Sequence, residues 1–413
     1  MVLFPFPLIP YLSCKADSWV HIGGHTKAAS YRSFLDNAST LGTAQAIKIA
    51  HLEYNNIKAV HNFAREHNID CDLFSGDTVD IIYDQAQWDY GIKAVKAMRD
   101  AMPDALDTVV RYKFWTKEEA RDKFHCKGEE AVGAVSYEAG SLSAYKFVVA
   151  VLKLCLKSGL ELFTNTPATN ISKGEHGTWI VDTPRGIVRA KKVVLATNGY
   201  TSFLCPKFSK VIVPLRGQIT AHRPGSNMPS SGLSTTYSFI YSNGYEYMIP
   251  RPPDSKFAGD IIIGGGLVKA ANEGLNEFGN TDDTTLNIEI SEYLRGSTER
   301  YFGDSWGEDS EKGRIRKEWT GVMGYSSDGF PFVGEVPWVE GLWIAASFQG
   351  HGMVLCFMCA RALVQMMDGE KGEKEGELGN WFPDVFRVTE ERMGKRFVGR
   401  LHTKPVDVET KAG

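Results

Sequence analysis

Apolar residues recur at steps of three and four positions in several parts of the chain, a spacing typical of one face of a helix. In the stretch 43–68, which has no Gly or Pro, Ile47, Tyr54, Ile57 and Val60 follow this spacing. The pattern therefore predicts a long amphipathic helix there. Further helices are predicted over 88–102, 116–124, 146–158, 287–301 and 353–367.

Runs rich in Val, Ile and Leu predict strands between these helices. The runs 192–197 and 343–347 are apolar almost throughout, which is typical of strands buried on both faces of a parallel sheet. The runs 211–222, 237–250 and 260–264 look instead like an antiparallel set. The remaining predictions are strands over 79–83 and 160–165, a hairpin of 178–181 with 187–190, and a surface loop over 369–379.

The two kinds of strand alternate along the chain, so we predict two domains assembled from discontinuous segments. The first is an α/β domain with a parallel sheet, comprising residues 1–35, 138–210 and 317–413. The second is an α+β domain with an antiparallel sheet, comprising residues 36–137 and 211–316.

Composition excludes several classes of protein. The 413 residues are 43% apolar and 23% charged, which is ordinary for a globular chain and not for a disordered or membrane-spanning one. The net charge of -4 argues against a nucleic-acid partner. The seven cysteines are scattered and match no disulfide framework. Cys356 and Cys359 form a C-x-x-C, for which two small apolar residues in a buried helix are the expected role and a redox or metal role is the alternative. We expect a cytoplasmic protein with a small-molecule partner, no transmembrane segment and no metal.

Glycine is enriched, at 41 of 413 residues, or about 10% against a usual ~7%. Three glycine turns stand out, at Gly23-Gly24, at Asn198-Gly199 after a predicted strand, and at Gln349-Gly-His-Gly352 before a predicted helix. A helix start preceded by glycine presents free N–H groups to an anion, and ligands of α/β sheets bind beyond the carboxyl ends of strands. Each turn alone also fits an ordinary tight connection.

Taken together, the segments resemble the FAD-dependent oxidoreductases of the D-amino-acid oxidase superfamily, in particular the glycine/sarcosine oxidase and gamma-glutamylputrescine oxidase branch. The resemblance runs from Gly23 to about Val398, and it depends on the order and spacing of the segments. These are Gly23-Gly-His-Thr-Lys27, Gly133-Ala-Val-Ser-Tyr-Glu-Ala-Gly-Ser-Leu-Ser143, Asn165-Thr-Pro-Ala-Thr-Asn170, Val193-Val-Leu-Ala-Thr-Asn-Gly-Tyr200, Pro214-Leu-Arg-Gly-Gln218, Gly259-Asp-Ile-Ile-Ile-Gly-Gly-Gly266, the stretch 319–334 and Gln349-Gly-His-Gly-Met353.

The resemblance implies FAD as cofactor, an α/β FAD-binding domain interleaved with an α+β substrate domain, and oxidation of a C–N bond by hydride transfer to the flavin. It implies a role near the cofactor for twelve residues. They are Gly23, Gly24 and His25 beside the flavin ring, Ala168 near the adenine, Thr197, Asn198 and Gly199 along the dinucleotide, and Gln349, Gly350, His351, Gly352 and Met353 over the pyrimidine edge.

One departure from the family concerns the cofactor. The family opens with a strand, G-x-G-x-x-G and a helix, and no G-x-G-x-x-G occurs in this sequence. The residues before Gly23 carry three prolines, and His21 and Ile22 stand where the family has an Arg-Asn pair. We therefore expect the first βαβ unit to be missing or replaced, through a truncated or mis-started coding sequence or in a flavin-free relative. Strands 192–197 and 343–347 would then lack their neighbour.

A second departure concerns the substrate. The resemblance places Tyr247, Arg251, Trp319 and Met323 on the substrate side, although core packing explains Tyr247 and Trp319 equally well. Amino-acid oxidases of the family carry at the Met323 position an Arg that clamps the substrate carboxylate. Its absence favours amines or modified amino acids as substrates. Arg251 could substitute for that clamp, although surface solvation is the expected role of one isolated Arg. The alternative function is a non-catalytic, FAD-deficient remnant of the family.

Overall fold

The computed structural model describes residues 2–3, 23–369 and 373–399. The predictions made for the proline-containing segment, including His21 and Ile22, lie outside these residues. The strands are β1 Val2–Leu3, β2 His25–Thr26, β3 Phe74–Ile82, β4 Tyr112–Thr116, β5 Gly133–Ser141, β6 Asn170–Lys173, β7 Trp179–Thr183, β8 Gly186–Ala190, β9 Val193–Leu195, β10 Ile212–His222, β11 Thr236–Ile240, β12 Tyr245–Pro250, β13 Ile261–Gly264, β14 Ile315–Ser326, β15 Phe332–Glu335 and β16 Leu342–Ala346. The helices are α1 Phe34–Leu41, α2 Thr43–Glu66, α3 Gln85–Ala101, α4 Lys117–Lys123, α5 Ala144–Lys157, α6 Thr201–Leu204, α7 Ile288–Arg295, α8 Ser297–Phe302, α9 Gly352–Asp368, α10 Glu373–Trp381 and α11 Glu390–Gly394.

Several helices begin where their sequences provide a cap. Thr116 and Glu119 form the predicted capping box at the start of α4, each side chain bonding the backbone N–H of the other. Asp84 caps α3 by accepting from the amide of Gln87. The predicted helix over 287–301 is interrupted at Gly296 and forms α7 and α8.

Nine of the described strands form one large sheet. Its order is β14-β10-β13-β12-β11-β3-β5-β2, and β4 pairs separately with β5. All these pairings are antiparallel except that of β11 with β3. The register aligns Trp319, Ile219, Gly264, Tyr247 and Ser238 in one row across five strands. Since side chains alternate along a strand, this row shares one face of the sheet.

A four-stranded sheet of order β1-β9-β16-β15 contains the two apolar strands predicted to be parallel. β9 and β16 pair in parallel, and β15 joins β16 in antiparallel orientation. A three-stranded sheet, β6-β7-β8, includes the predicted hairpin. The fold class expected from the sequence is therefore confirmed, as an α/β part interleaved with an α+β part. The domain boundaries stay a prediction; those at 137/138 and 316/317 fall inside β5 and β14.

The long helix α2 packs against α9 and supports its first turn. Ile49, Leu52 and Ile57 share a core cluster with residues of α9 such as Met358. Asn56, fully buried, donates to the carbonyl of Met353 at 3.1 Å and accepts from the amide of Met358 at 3.0 Å. This contact fixes the end of α9 that follows the Gln349–Gly352 turn.

Three local predictions were wrong. Residues 160–165 form no strand, because no described strand lies beside them to pair with their backbone groups. The predicted loop 369–379 instead contains α10, whose Leu378 is buried in the core shared with α2 and α9. Strand β16 does not lack neighbours, since β9 and β15 pair with its two edges. Strand β9 has β1 on its other side.

Candidate functional site

The turn at Gly23 and Gly24 is tightly packed against β5. Gly24 has φ +87°, and a Cβ atom added there would lie 1.8 Å from the carbonyl oxygen of Leu142. The same backbone segment is tied by a hydrogen bond from the Leu142 amide to the Gly24 carbonyl, at 2.9 Å. Only glycine fits this position, because it lacks a Cβ and tolerates positive φ.

Tyr247 lies between this turn and the nine-stranded sheet. A Cβ atom at Gly23 would come within 2.3 Å of its ring, and one at Gly264, the neighbouring position on β13, within 2.6 Å. Its hydroxyl accepts a hydrogen bond from the amide of Gly23 at 3.1 Å. Burial raises the pKa of this hydroxyl. Tyr247 therefore joins the glycine turn to the sheet through ring packing and one hydrogen bond.

His25 and Lys27 continue from this turn along the same sheet face. His25 Nε2 is 2.8 Å from Thr236 Oγ1. Lys27 Nζ is 2.6 Å from Asp80 Oδ1 and donates to Ser238 Oγ at 2.6 Å, in a buried ion pair. Burial lowers the pKa of His25 well below 6.5, with the charge of Lys27 adding to the effect. His25 is therefore neutral at physiological pH.

Asp80 is the centre of a buried polar cluster. Its Oδ2 accepts hydrogen bonds from the hydroxyls of Tyr31 and Tyr137, at 2.8 and 2.9 Å. Together with Lys27 these groups compensate a fully buried carboxylate, which would otherwise be strongly destabilising. Nothing in the sequence distinguishes Lys27 or Asp80 from ordinary surface charges, because their pairing joins residues 53 positions apart.

The second turn, between β16 and α9, has a strained backbone. Ser347 and Gln349 have φ +66° and +55°, and Asn198 on the neighbouring connection has φ +42°. The side-chain oxygen of Asn198 accepts from the amides of Ser347 and Phe348 at 3.0 and 3.3 Å. Non-glycine residues hold such conformations only where the surroundings fix them, and they concentrate at functional sites.

The Gln349 amide group completes this arrangement. Its Nε2 donates to Ser326 Oγ at 2.9 Å and to the Ser347 carbonyl at 2.9 Å. Its Oε1 accepts from the amide of Ser326 at 3.2 Å. The turn is thereby tied to the end of β14.

Helix α9 starts directly after this turn with no side-chain cap. Among the described residues, no side chain accepts from the amides of Gly352 and Met353, which point toward the turn at the positive end of the helix dipole. His351, the residue before the helix, is half-buried, and its partial burial lowers its pKa to about 4. A neutral imidazole and open amides thus lie at this end of α9.

Met323 connects the second turn to the nine-stranded sheet. A Cβ atom at Gly217 would lie 2.8 Å from Met323 Cε, and one at Gly350 would lie 3.2 Å from its Sδ. A Cβ atom at Gly199 would lie 2.6 Å from the Met323 carbonyl oxygen. The structure therefore brings together Met323, the 197–199 connection and the 349–353 turn.

Three predicted residues lie apart from these contacts. Ala168 packs against the core beneath the three-stranded sheet. Trp319 packs against the apolar cluster of Ile219, Ala221, Ile249 and Ile262 on the sheet face. Arg251 follows β12 and is partly buried, so the expectation of a solvated surface residue was wrong. Burial lowers its pKa, with Asp72 and Asp260 opposing the shift.

These observations bear on whether a flavin fits here. The amides at the start of α9 have no side-chain partner among the described residues and suit an anionic edge of a planar ring, and the backbone at 347–349 beside them is held in place by Asn198 and Gln349. The residues present therefore fit the flavin end of FAD. The described ranges contain no G-x-G-x-x-G loop for the pyrophosphate.

Comparison with known proteins identifies the family. Residues 19–366 match the DAO family of FAD dependent oxidoreductases. The chain belongs to this family of FAD-dependent flavoproteins. This match covers both turns, the row of residues from Trp319 to Ser238 and most of the two larger sheets.

Individual relatives are distant. The chain is 27% identical over 53% of its length to the tRNA 5-methylaminomethyl-2-thiouridine biosynthesis bifunctional protein MnmC of Shewanella amazonensis, and the match spans only 30% of that protein. It is 23% identical to the probable oxidoreductase OrdL of Rhizobium meliloti, over 82% of this chain and 71% of that protein. The crystal structure of glycine oxidase from Geobacillus kaustophilus superposes with a TM-score of 0.68 at 18% identity, covering 94% and 91% of the two chains. That likeness shows a shared fold.

Two further features of the described residues bear on function. None of their helices is both long and apolar enough to cross a membrane, and no group of three His, Cys, Asp or Glu residues among them is arranged to hold a metal ion. Two surface cavities, of about 220 and 460 Å³, are lined by residues away from both glycine turns.

Proposed function

We propose that this protein oxidises a C–N bond of an amine or modified amino acid with FAD as the hydride acceptor. The observation that supports this most is the convergence of two glycine turns on one face of the nine-stranded sheet, through Tyr247 and Met323. Hydride leaves the substrate carbon next to nitrogen, and the resulting imine is hydrolysed by water. When bound, the flavin supplies the two-electron acceptor for this step.

On the cofactor side, Gly23, Gly24 and His25 would lie beside the flavin ring. The 349–353 turn and the amides at the start of α9 would face its pyrimidine edge, where they stabilise negative charge. The 197–199 connection would run along the dinucleotide, and Ala168 would lie near the adenine. The neutral imidazoles of His25 and His351 add no charge to this environment.

On the substrate side, Met323 and Trp319 would line the binding surface. Neither is a cation, so this part of the site does not clamp a carboxylate as an arginine does. Tyr247 acts mainly by holding the Gly23–Gly24 turn, because its ring and hydroxyl are already engaged. The charge of Arg251 is partly met by Asp72 and Asp260.

The absorption spectrum of the purified protein tests this proposal. We expect a yellow flavin band, present on purification or after soaking with FAD, that bleaches anaerobically when an amine substrate is added. Carbonyl product and ammonia or amine should form in equal amounts. Asn198→Ala should weaken FAD retention about tenfold or more, because the 347–349 turn loses two hydrogen bonds. Asn170→Ala, at an exposed asparagine, should leave it unchanged.

Absence of a flavin band even after soaking with FAD would overturn the proposal. The lack of G-x-G-x-x-G in the sequence specifically favours that outcome. It would assign the chain to the second candidate, a non-catalytic member of the family that does not hold FAD.

A further inference from the structure

A cavity of about 460 Å³ opens on the face of the nine-stranded sheet that lies away from the glycine turns. Glu246, in its wall, and Tyr247 are consecutive on β12, so their side chains point to opposite faces of the sheet. Pockets that bind small molecules commonly have volumes of about 300–1,000 Å³. The cavity is therefore large enough for a small ligand, and it is separate from the surface proposed for the flavin.

Two cations lie close to one tyrosine ring in this wall. The guanidinium carbon of Arg300 is 4.2 Å from the centre of the Tyr293 ring, and Lys269 Nζ is 4.9 Å from it. Arg300 is half-buried, and within the described part of the chain its guanidinium makes one hydrogen bond, to the Tyr301 hydroxyl at 3.3 Å. Glu129 Oε1 is 3.6 Å from Arg300 Nε, beyond hydrogen-bond distance. Because a guanidinium has five N–H donors, most of those of Arg300 are available to an anion.

A carboxylate is held in the same wall by an unusual backbone. Asn272, Glu273 and Gly274 have consecutive φ values of +52°, +54° and +81°, a left-handed turn that is unfavourable for the two non-glycine residues. The Glu273 side chain is exposed and accepts a hydrogen bond from Asn243 Nδ2 at 3.3 Å. Non-glycine residues in such conformations concentrate at functional sites. The turn therefore places Glu273 at the cavity despite its unfavourable conformation.

The other two carboxyl groups of the wall are less accessible. Glu246 is buried, and its Oε2 accepts a hydrogen bond from the Tyr301 hydroxyl. Glu129 is half-buried and accepts from the Tyr241 hydroxyl at 3.0 Å. Glu273 is therefore the carboxylate of this wall that a cationic group of a ligand would reach.

Apolar surface completes the lining. Tyr241, Tyr293 and Val268 line the cavity beside the charged residues. The cavity thus offers cations, an exposed carboxylate and apolar surface within one small volume. A ligand with a single charge would meet a like charge in this wall, whereas a ligand that carries both charges would meet a complementary group at each end.

We propose that this cavity binds a zwitterionic amino acid with an apolar side chain. Arg300 and Lys269 bind its carboxylate, Glu273 binds its ammonium group, and its side chain packs against Tyr241 and Tyr293. Because the cavity lies on the reverse of the sheet from the proposed flavin position, it is a second binding site and does not depend on the proposed oxidation.

Anaerobic calorimetric titration of the purified protein tests this proposal with L-phenylalanine, phenethylamine and 3-phenylpropionate, which share one ring and differ in charge. We expect L-phenylalanine to bind about fivefold or more tightly than the other two, because each of them lacks one charged group. Lys269→Met should weaken the binding of L-phenylalanine and 3-phenylpropionate about threefold and leave that of phenethylamine unchanged. Glu273→Gln should weaken the binding of L-phenylalanine and phenethylamine by a similar factor and leave that of 3-phenylpropionate unchanged. Both side chains are exposed, so neither change should disturb the fold.

The matched control is Lys113→Met. Lys113 is likewise exposed and lies over an aromatic ring, with Nζ 3.6 Å from the centre of the Trp115 ring, but it is outside the cavity. Its replacement should leave all three affinities unchanged.

Wild-type protein that binds the three probes equally, or binds none of them, overturns the proposal. So do Lys269→Met and Glu273→Gln variants that keep the wild-type affinity for L-phenylalanine, because the amino acid then binds elsewhere, for instance on the flavin side of the sheet. Protein without a flavin band should still bind L-phenylalanine, so failure of the proposed oxidation and failure of this site are distinguishable.

Discussion

The two glycine turns that meet the nine-stranded sheet are held in different ways. The Gly23–Gly24 turn depends on packing, with Gly24 against the Leu142 carbonyl and Tyr247 against Gly23. The 349–352 turn depends on the hydrogen bonds that Asn198 accepts from the preceding amides of Ser347 and Phe348, and on those of the Gln349 side chain. Its side-chain neighbours on β14 are the hydroxyls of Ser326 and Tyr325 and the thioether of Met323. The first turn is therefore held by a direct contact between backbone segments, whereas the second is held by contacts with side chains.

The largest expected effect comes from adding a methyl group to each turn. Gly24→Ala would place Cβ against a backbone carbonyl at positive φ, so we expect it to lower the free energy of unfolding by about 3 kcal/mol or more. Gly350→Ala also has positive φ, but its Cβ would lie 3.1 to 3.2 Å from the Tyr325 hydroxyl and the Met323 sulfur, which can move. We expect a loss of about 1–2 kcal/mol. Urea unfolding measures both.

The control for positive φ alone is Gly159→Ala, since Gly159 has φ +95° and nothing within 4 Å of its Cβ position. Its cost should be about 1 kcal/mol. Equal losses at Gly24 and Gly159 would show that the Leu142 contact is not rigid.

Low pH should lower the free energy of unfolding through His351, which lies in the 349–352 turn. Its pKa is lowered by burial to about 4, so below pH 6.5 the unfolded chain binds a proton that the folded chain does not. The free energy of unfolding therefore falls as pH falls from 6.5 toward 4, by about 2 kcal/mol at pH 5 for this group. His351→Asn should remove that part of the pH dependence, as followed by urea unfolding at pH 5 and pH 7.

His176→Asn is the matched control, because His176 is exposed and the replacement should leave the pH dependence unchanged. His25, near Lys27 at the other turn, also has a lowered pKa, so some acid sensitivity should persist in the His351 variant. A His351→Asn variant with the full wild-type pH dependence would contradict the assignment of a neutral, half-buried His351.

The smallest effect tests the hydrogen bond at the first turn. Tyr247→Phe keeps the ring between Gly23 and Gly264 but leaves the Gly23 amide without its acceptor, so we expect the free energy of unfolding to fall by about 1 kcal/mol.

Met323→Leu, a change of similar volume at the second turn, should lower the free energy of unfolding by less than about 1.5 kcal/mol and leave no amide unpaired. Tyr245→Phe, at an exposed neighbour on β12, should be neutral. If Tyr247→Phe leaves the free energy of unfolding unchanged, ring packing alone stabilises this turn.

Much of the fold was predictable because its signals are local. The spacing of apolar residues located α2, α3, α5 and α9, and a capping box located α4. The apolar runs at β9 and β16 correctly predicted parallel pairing. The wrong predictions, at 160–165 and 369–379, concern segments whose structure depends on a neighbour, either a strand to pair with or a core to cover.

The candidate site was predictable only in part. The glycine turns and the family resemblance located the 23–25, 197–199 and 349–353 segments, because both signals are read from the order of residues along the chain. The Lys27–Asp80 pair and the contact of Tyr247 with Gly23 carry no local pattern, since each joins segments far apart in the sequence. Arg251 was misjudged because burial cannot be read from one isolated cation.

The sequence by itself determined the family, the helices, the strand types and the glycine-rich connections, because periodicity and glycine act over a few residues. The tertiary structure alone decided which side chains face each other. The register of the nine-stranded sheet aligns Trp319 with Tyr247 and Gly217 with Gly321, and a slip of one residue would turn every one of them to the other face. That register follows from the summed packing of the whole sheet, which no short stretch of sequence specifies.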